Sequence, residues 1–153
     1  MIKKLLILLL FFGFSFCQEW KGKEIHFSKF VSMSTFDIHF SKFVSMGTTV
    51  FYISKYSTGS TTDVYVSNSC QNNDIVVSSS KGMGTFDIHL SKFVSMGSKD
   101  INISKFSSMG TKDIYITNNR SSSDISICFP RGFDYDNRHI ISIVYLTMFH
   151  KKD

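Results

Sequence analysis

A thirteen-residue unit recurs along this chain and restricts its fold more than any other feature. Asp87 opens DIHLSKFVSMGSK, and Asp100, thirteen residues on, opens DINISKFSSMGTK. Asp37, fifty residues upstream of Asp87, opens DIHFSKFVSMGTT. The residues preceding each alternating patch are Glu24, Asp37, Val50, Asp63, Asp74, Asp87, Asp100, Asp113 and Asp124, with steps of 13, 13, 13, 11, 13, 13, 13 and 11. The short period is nested in one of fifty residues, the mark of a duplicated four-unit block, with Glu24 as the end of an earlier one. Such a chain reads as a repeat architecture.

Each unit begins with alternation. The apolar pairs are Ile25/Phe27, Ile38/Phe40, Phe51/Ile53, Val64/Val66, Ile75/Val77, Ile88/Leu90, Ile101/Ile103, Ile114/Ile116 and Ile125/Ile127. One residue separates the members of each pair, so both point to one face of a strand. Most are β-branched or aromatic, which suits pleated packing. The residues between them include His26, His39, Tyr52, Tyr65, His89 and Tyr115 and face the other way. A Ser-Lys-aromatic step follows, at Lys29, Lys42, Lys55, Lys92 and Lys105, where the strand ends. Gly47, Gly84, Gly97 and Gly110 then close Ser-Met-Gly-Thr and its variants, three residues before the next anchor, where a positive φ or a close approach suits glycine. The methionines before them are expected to pack under these turns as flexible filler. The recurrent aspartates read as turn acceptors of a structural kind.

The ends of the chain depart from the repeat. Lys3 and Lys4 followed by the apolar run Leu5–Phe12 predict a secretory signal over residues 1–17, with Gln18 as the new terminus. The run is short for a membrane span, so no stable span is expected after processing. Residues 18–153 then form one domain, with repeat units over about 24–127. After Cys128-Phe129-Pro130 comes HIISIVYLTMF, residues 139–149. Its Ile, Val, Tyr and Thr content predicts a buried capping strand, with a short helix as the alternative.

The net charge of +5 is spread among many serines, threonines and asparagines, without the clustered stripe that nucleic acid would require. Cys70 and Cys128 survive processing. Two unpaired thiols are the simpler reading, and a single long-range bridge is the alternative in an oxidising compartment. No CxxC pair suggests a zinc site, and no cofactor is implied. Asn102-Ile103-Ser104 and Asn119-Arg120-Ser121 match the glycosylation sequon.

Short strands with turns of similar length exclude a helical bundle and helix-linked crossovers. Two all-β solutions remain: a closed structure in which strands of the two blocks pair, and an open β-solenoid. The units DVYVSNSCQNND (Asp63–Asp74) and DIYITNNRSSSDISI (Asp113–Ile127) resemble the septoil-knot domain family, whose members repeat a thirteen-residue strand and polar turn. That resemblance implies a compact β fold whose strands wind around one another with a knotted backbone. It implies no enzymatic role and no ligand.

The functional expectation is a secreted, periplasmic or cell-surface structural or interaction module. Two surface columns are its candidate binding residues: His26, His39, Tyr52, Tyr65, His89 and Tyr115, and Lys29, Lys42, Lys55, Lys92 and Lys105. A regular array of this type would suit a glycan, a cell-envelope polymer or a protein partner. The alternatives are a metal-binding module, from the histidine offset, and a hydrolytic enzyme. The metal reading lacks a complete ligand set, and no GxSxG elbow supports the hydrolytic one.

Overall fold

The computed structural model describes residues 20–33, 35–71 and 74–150, so the signal segment expected at 1–17 lies outside the described residues. Each alternating patch is a strand: β1 (Glu24–Ser28), β2 (Thr35–Phe40), β3 (Thr49–Ser54), β4 (Thr62–Ser67), β5 (Ile75–Ser78), β6 (Phe86–Ser91), β7 (Lys99–Ser104), β8 (Lys112–Thr117) and β9 (Ile125–Cys128). They close into a barrel in the order β1-β5-β9-β4-β8-β3-β7-β2-β6, with β6 returning to β1. The chain is thus a closed all-β repeat fold and not an open solenoid. Most neighbours come from different blocks.

All neighbouring strands are parallel. Successive strands lie two places apart in the ring, so eight steps carry the chain almost twice around it. Partners are 52 residues apart at five of the nine contacts and 61 apart at four, so one circuit of the ring returns to β1 displaced by sixteen residues. For nine strands that stagger implies a tilt of roughly 50° and a backbone radius of roughly 11 Å. The steep tilt explains why parallel strands are joined here by only six to eight residues. Each short strand climbs roughly 10 Å along the axis, and an extended hexapeptide reaches about 20 Å.

A radius of about 11 Å leaves room for one helix, whose own radius with side chains is about 5 Å. The C-terminal run occupies that space as a helix, α1 (Asn137–Phe149). This corrects the expected capping strand. Ile140, Ile141, Ser142, Ile143 and Val144 are consecutive and all buried, so the helix is enclosed around its whole circumference. It shares one core with the inward residues of every strand, Ile25, Ile38, Phe51, Val64, Val77, Ile88, Ile101, Ile114 and Ile127 among them. The physical reason is backbone satisfaction. A strand inside a closed barrel has no ladder to join, whereas a helix bonds its own N–H and C=O groups. Buried Ser142 and half-buried Thr147 return their hydroxyls to the carbonyls of Arg138 and Val144, both at 2.7 Å.

Asp136 caps the helix, accepting from Arg138 N at 2.9 Å, while Asp136 N donates to His139 Nδ1 at 3.2 Å. His139 meets Phe27 at the end of β1, and His150 meets Phe36 and Phe86 at the starts of β2 and β6. The helix therefore runs opposite to the strands. Phe129, Phe133 and Tyr135 stack over its entry, and Trp20 packs on Phe86 at the far end. Cys70 and Cys128 form a disulfide with Cα atoms 5.3 Å apart, in place of two free thiols. It ties the connection after β4 to the end of β9.

Candidate interaction surface

The outer face is organised by the stagger. At eight of the nine contacts a residue aligns with one placed two positions earlier in its neighbour's unit. Within a unit, histidine follows aspartate by two, as in Asp37-Ile38-His39. The stagger converts that spacing into pairs between strands. His26 Nδ1 donates to Asp87 Oδ1 at 2.9 Å, His89 to Asp37 at 2.9 Å, and His39 to Asp100 at 2.8 Å. These pairs run side by side across β1, β6, β2 and β7. Asn102 follows, its Nδ2 donating to Ser41 O at 2.9 Å. Tyr52 then stands beside Asp113 and Tyr115 beside Asp63, while Tyr65 sits beside Ser126.

The aspartates serve the connections as well. Thr35 and Thr48 hydroxyls donate to Asp87 and Asp100 at 3.1 and 2.9 Å, and Ser95 donates to Asp37 at 3.1 Å. These three connections, β1–β2, β2–β3 and β6–β7, are thereby fastened to the strands they skip. Asp37 and Asp87 are only 8% and 3% exposed although they point away from the lumen. Burial pushes their carboxyls upward, but the bonds from Ser91, His89 and Ser95 to Asp37, and from His26, Thr35 and Lys81 to Asp87, outweigh it. Both are held below 3.8. Ser91 does not complete a hydrolytic triad with His89, because its hydroxyl approaches the same Nδ1 and the same carboxylate. Among the described residues no group of three or more His, Cys, Asp or Glu is placed to hold a metal ion.

The histidine and tyrosine column is therefore half-buried beneath the connections. The lysine column stands on them: Lys29, Lys42, Lys55, Lys92 and Lys105 are exposed. Beside each lysine an aromatic ring projects, Phe30, Phe43, Tyr56, Phe93 and Phe106, at 75–80% exposure. The methionines do not pack under the turns. Met33, Met46, Met83, Met96 and Met109 are fully exposed. In the turns Ser45–Thr48, Ser95–Ser98 and Ser108–Thr111 the fourth residue's N–H bonds the first carbonyl, at 3.1 Å, with glycine third at φ of 91–97°. Methionine is the second, corner residue of that turn, which points to solvent.

Topology then arranges these side chains in a way the linear sequence conceals. Connections β1–β2, β6–β7, β2–β3, β7–β8 and β3–β4 lie over adjacent strands β6, β2, β7, β3 and β8. Read around the barrel, the aromatics run Phe30, Phe93, Phe43, Phe106, Tyr56. The lysines follow the same order, and units of the two blocks alternate. The result is a five-rung ladder of lysine and aromatic, with a methionine row along its other edge. A sequence reading could have found the His–Asp pairing in the two-residue spacing. The ladder's order required the ring.

Two open grooves accompany this surface. One, of about 680 Å³, lies between Lys29, Lys92, Phe93, Ser95, His89 and His139. The other, of about 640 Å³, is lined by Lys21, Tyr65, Asp74, Asn119, Arg120 and Asp124. There Arg120 donates to the buried Asp74 at 2.6 Å. Of the two sequons, Asn102 is buried, and exposed Asn119 caps the 3-10 turn Arg120–Ser122 through its side-chain oxygen. Among the described residues no helix is long and apolar enough to cross a membrane. Comparison with family models, with curated proteins and with solved structures returns no match.

Proposed function

We propose that this chain is a secreted or cell-surface interaction module without a catalytic role, which attaches to a cell-envelope surface through its repeated outer face. The observation that carries the reading is the ladder. Five aromatic side chains stand in solvent although the core is complete without them. An array of exposed apolar side chains of this kind suits a contact site on the surface of a protein. The alternating origin of its rungs makes the array regular although its members are scattered in sequence. The metal-binding and hydrolytic readings have less support, since the Nδ1 of each belt histidine already engages a carboxylate. The proposed kinship with the septoil-knot family rests on the thirteen-residue unit.

The test is co-sedimentation of the purified protein with isolated cell envelopes, comparing it with a variant carrying Phe43→Ser, Phe93→Ser and Phe106→Ser. The wild type is expected in the pellet and the variant in the supernatant, with matching circular dichroism. Equal retention of the two would refute the reading.

A further inference from the structure

The ladder has a charge and a curvature, and together they select a partner. None of the six connections 29–34, 41–48, 55–61, 79–85, 92–98 and 105–111 contains an aspartate or a glutamate. Every one carries a lysine. The nearest carboxylates all belong to the strands and are engaged: Asp37, Asp87 and Asp100 bond histidines, while Asp63 accepts from Ser57 and Thr61 and Asp113 from Ser107 and Thr111. The face therefore shows solvent a row of ammonium groups beside apolar side chains. Phenylalanine, valine and methionine dominate its apolar part, and of these rings only Tyr56 carries a hydroxyl. Such a surface suits a fluid apolar layer beneath anionic headgroups better than a hydroxyl-rich polymer.

Curvature gives the specific form. Adjacent strands of a nine-membered ring turn the surface by about 40°, and the connections stand roughly 16 Å from the axis. The central rung and its two neighbours then lie within about 4 Å of one plane, whereas the outer two recede by about 13 Å. An interfacial layer is about 5–10 Å deep. It would admit the three central aromatics and exclude the outer pair.

Resting on the envelope-binding reading above, we propose that the face centred on Phe43, with Phe93 and Phe106 beside it, seats on anionic phospholipid bilayers. The three rings enter the headgroup boundary while Lys42, Lys92 and Lys105 meet the lipid charge. Residues 43, 93 and 106 are distant in sequence and become neighbours only through the ring order.

The experiment is sedimentation of the purified protein with vesicles of pure phosphatidylcholine and of phosphatidylcholine with about a third phosphatidylserine. Binding is expected to the second only, and to weaken as salt is raised. Phe43→Ser and Phe93→Ser should each lower partitioning roughly tenfold, and Lys42→Gln roughly fivefold. Phe30→Ser and Tyr56→Ser should change it less than about threefold, since their rings remain in water. In a second measurement, Phe43→Trp should shift to blue fluorescence on adding anionic vesicles, and Phe30→Trp should not. Several outcomes overturn the lipid assignment: no anionic preference, equal losses at all five rungs, or envelope retention without vesicle binding. The third would leave the envelope reading standing and indicate a polymer or protein, whereas absence of both would remove both.

Discussion

The enclosed helix can be tested by replacing Ile140, Ile141, Ile143 and Val144 with alanine, one at a time. At 100° per residue these four positions look in different directions around α1. All are 4% exposed or less. Each isoleucine loses three carbons at about 0.8 kcal/mol apiece, and a cavity term of about 1–2 kcal/mol is added because a rigid barrel cannot collapse onto the gap. The expected cost is about 3–4 kcal/mol per isoleucine and about 2–3 kcal/mol for Val144. With a urea slope of about 1–2 kcal/mol per molar, the midpoint should fall by roughly 2 M at every isoleucine. Met109→Ala, in solvent, should move it by less than about 0.3 M. Far-ultraviolet circular dichroism against urea reads all of these. A helix laid on the outside of the barrel would show one or two costly positions and the rest near zero. A strand would show alternation. Either pattern would refute the enclosed helix.

Other expectations follow from the same geometry. Reducing Cys70–Cys128 frees a loop with a separation of 58 residues, and should lower stability by about 4 kcal/mol on unfolding in reductant. Gly97 has φ of 94° with no atom near its missing Cβ, so Gly97→Ala should cost about 1 kcal/mol by backbone strain alone. Gly59, which lacks the positive φ, should accept alanine without loss in the same denaturation assay. Asp37 and Asp87 have folded values below the unfolded 3.8. Their contribution is present above that pH and is lost as pH falls through their folded values. The urea midpoint should therefore drop between pH 5 and pH 2.5, and less steeply in Asp37→Asn, Asp87→Asn protein. Removing β1 should expose the edges of β5 and β6 together with the apolar lumen. Size-exclusion chromatography should then show association, and a monomer with native cooperativity would count against closure.

What could be read from the sequence was whatever depends on local spacing. The pairs Ile25/Phe27 to Ile125/Ile127 point inward as their alternation requires, because a strand's faces follow from its backbone alone. Gly47, Gly84, Gly97 and Gly110 take positive φ for an equally local reason. The C-terminal run departs from its strand-like composition because a β-branched residue carries a strand preference of only a few tenths of a kcal/mol. That preference is outweighed once the run must satisfy its backbone inside a lumen. The existence of the lumen is a property of nine strands at one stagger, and no single unit encodes it. The local sign was Asp136, three residues before His139, which forms the capping box. The methionines run against composition: an apolar side chain suggests burial, but the corner of a tight turn overrides that preference.

The duplication and the odd number of strands are connected. A chain that advances two places at each step visits every place of an odd ring before repeating, and needs two circuits to do so. In a ring of eight, four steps would return it to the start, and β5 would have to occupy the place of β1. The unit at Glu24, which looks like a remnant beside two tidy four-unit blocks, is the one that makes the ring odd. It seats β5 and β6 on either side of β1 and so interleaves the blocks. Interleaving explains why the corresponding units of the two blocks sit side by side, β2 against β6 and β3 against β7. It also explains why their exposed residues form one graded ladder. Were the two blocks folded as separate sheets, the same lysines and aromatics would be divided between two faces, each with half the rungs.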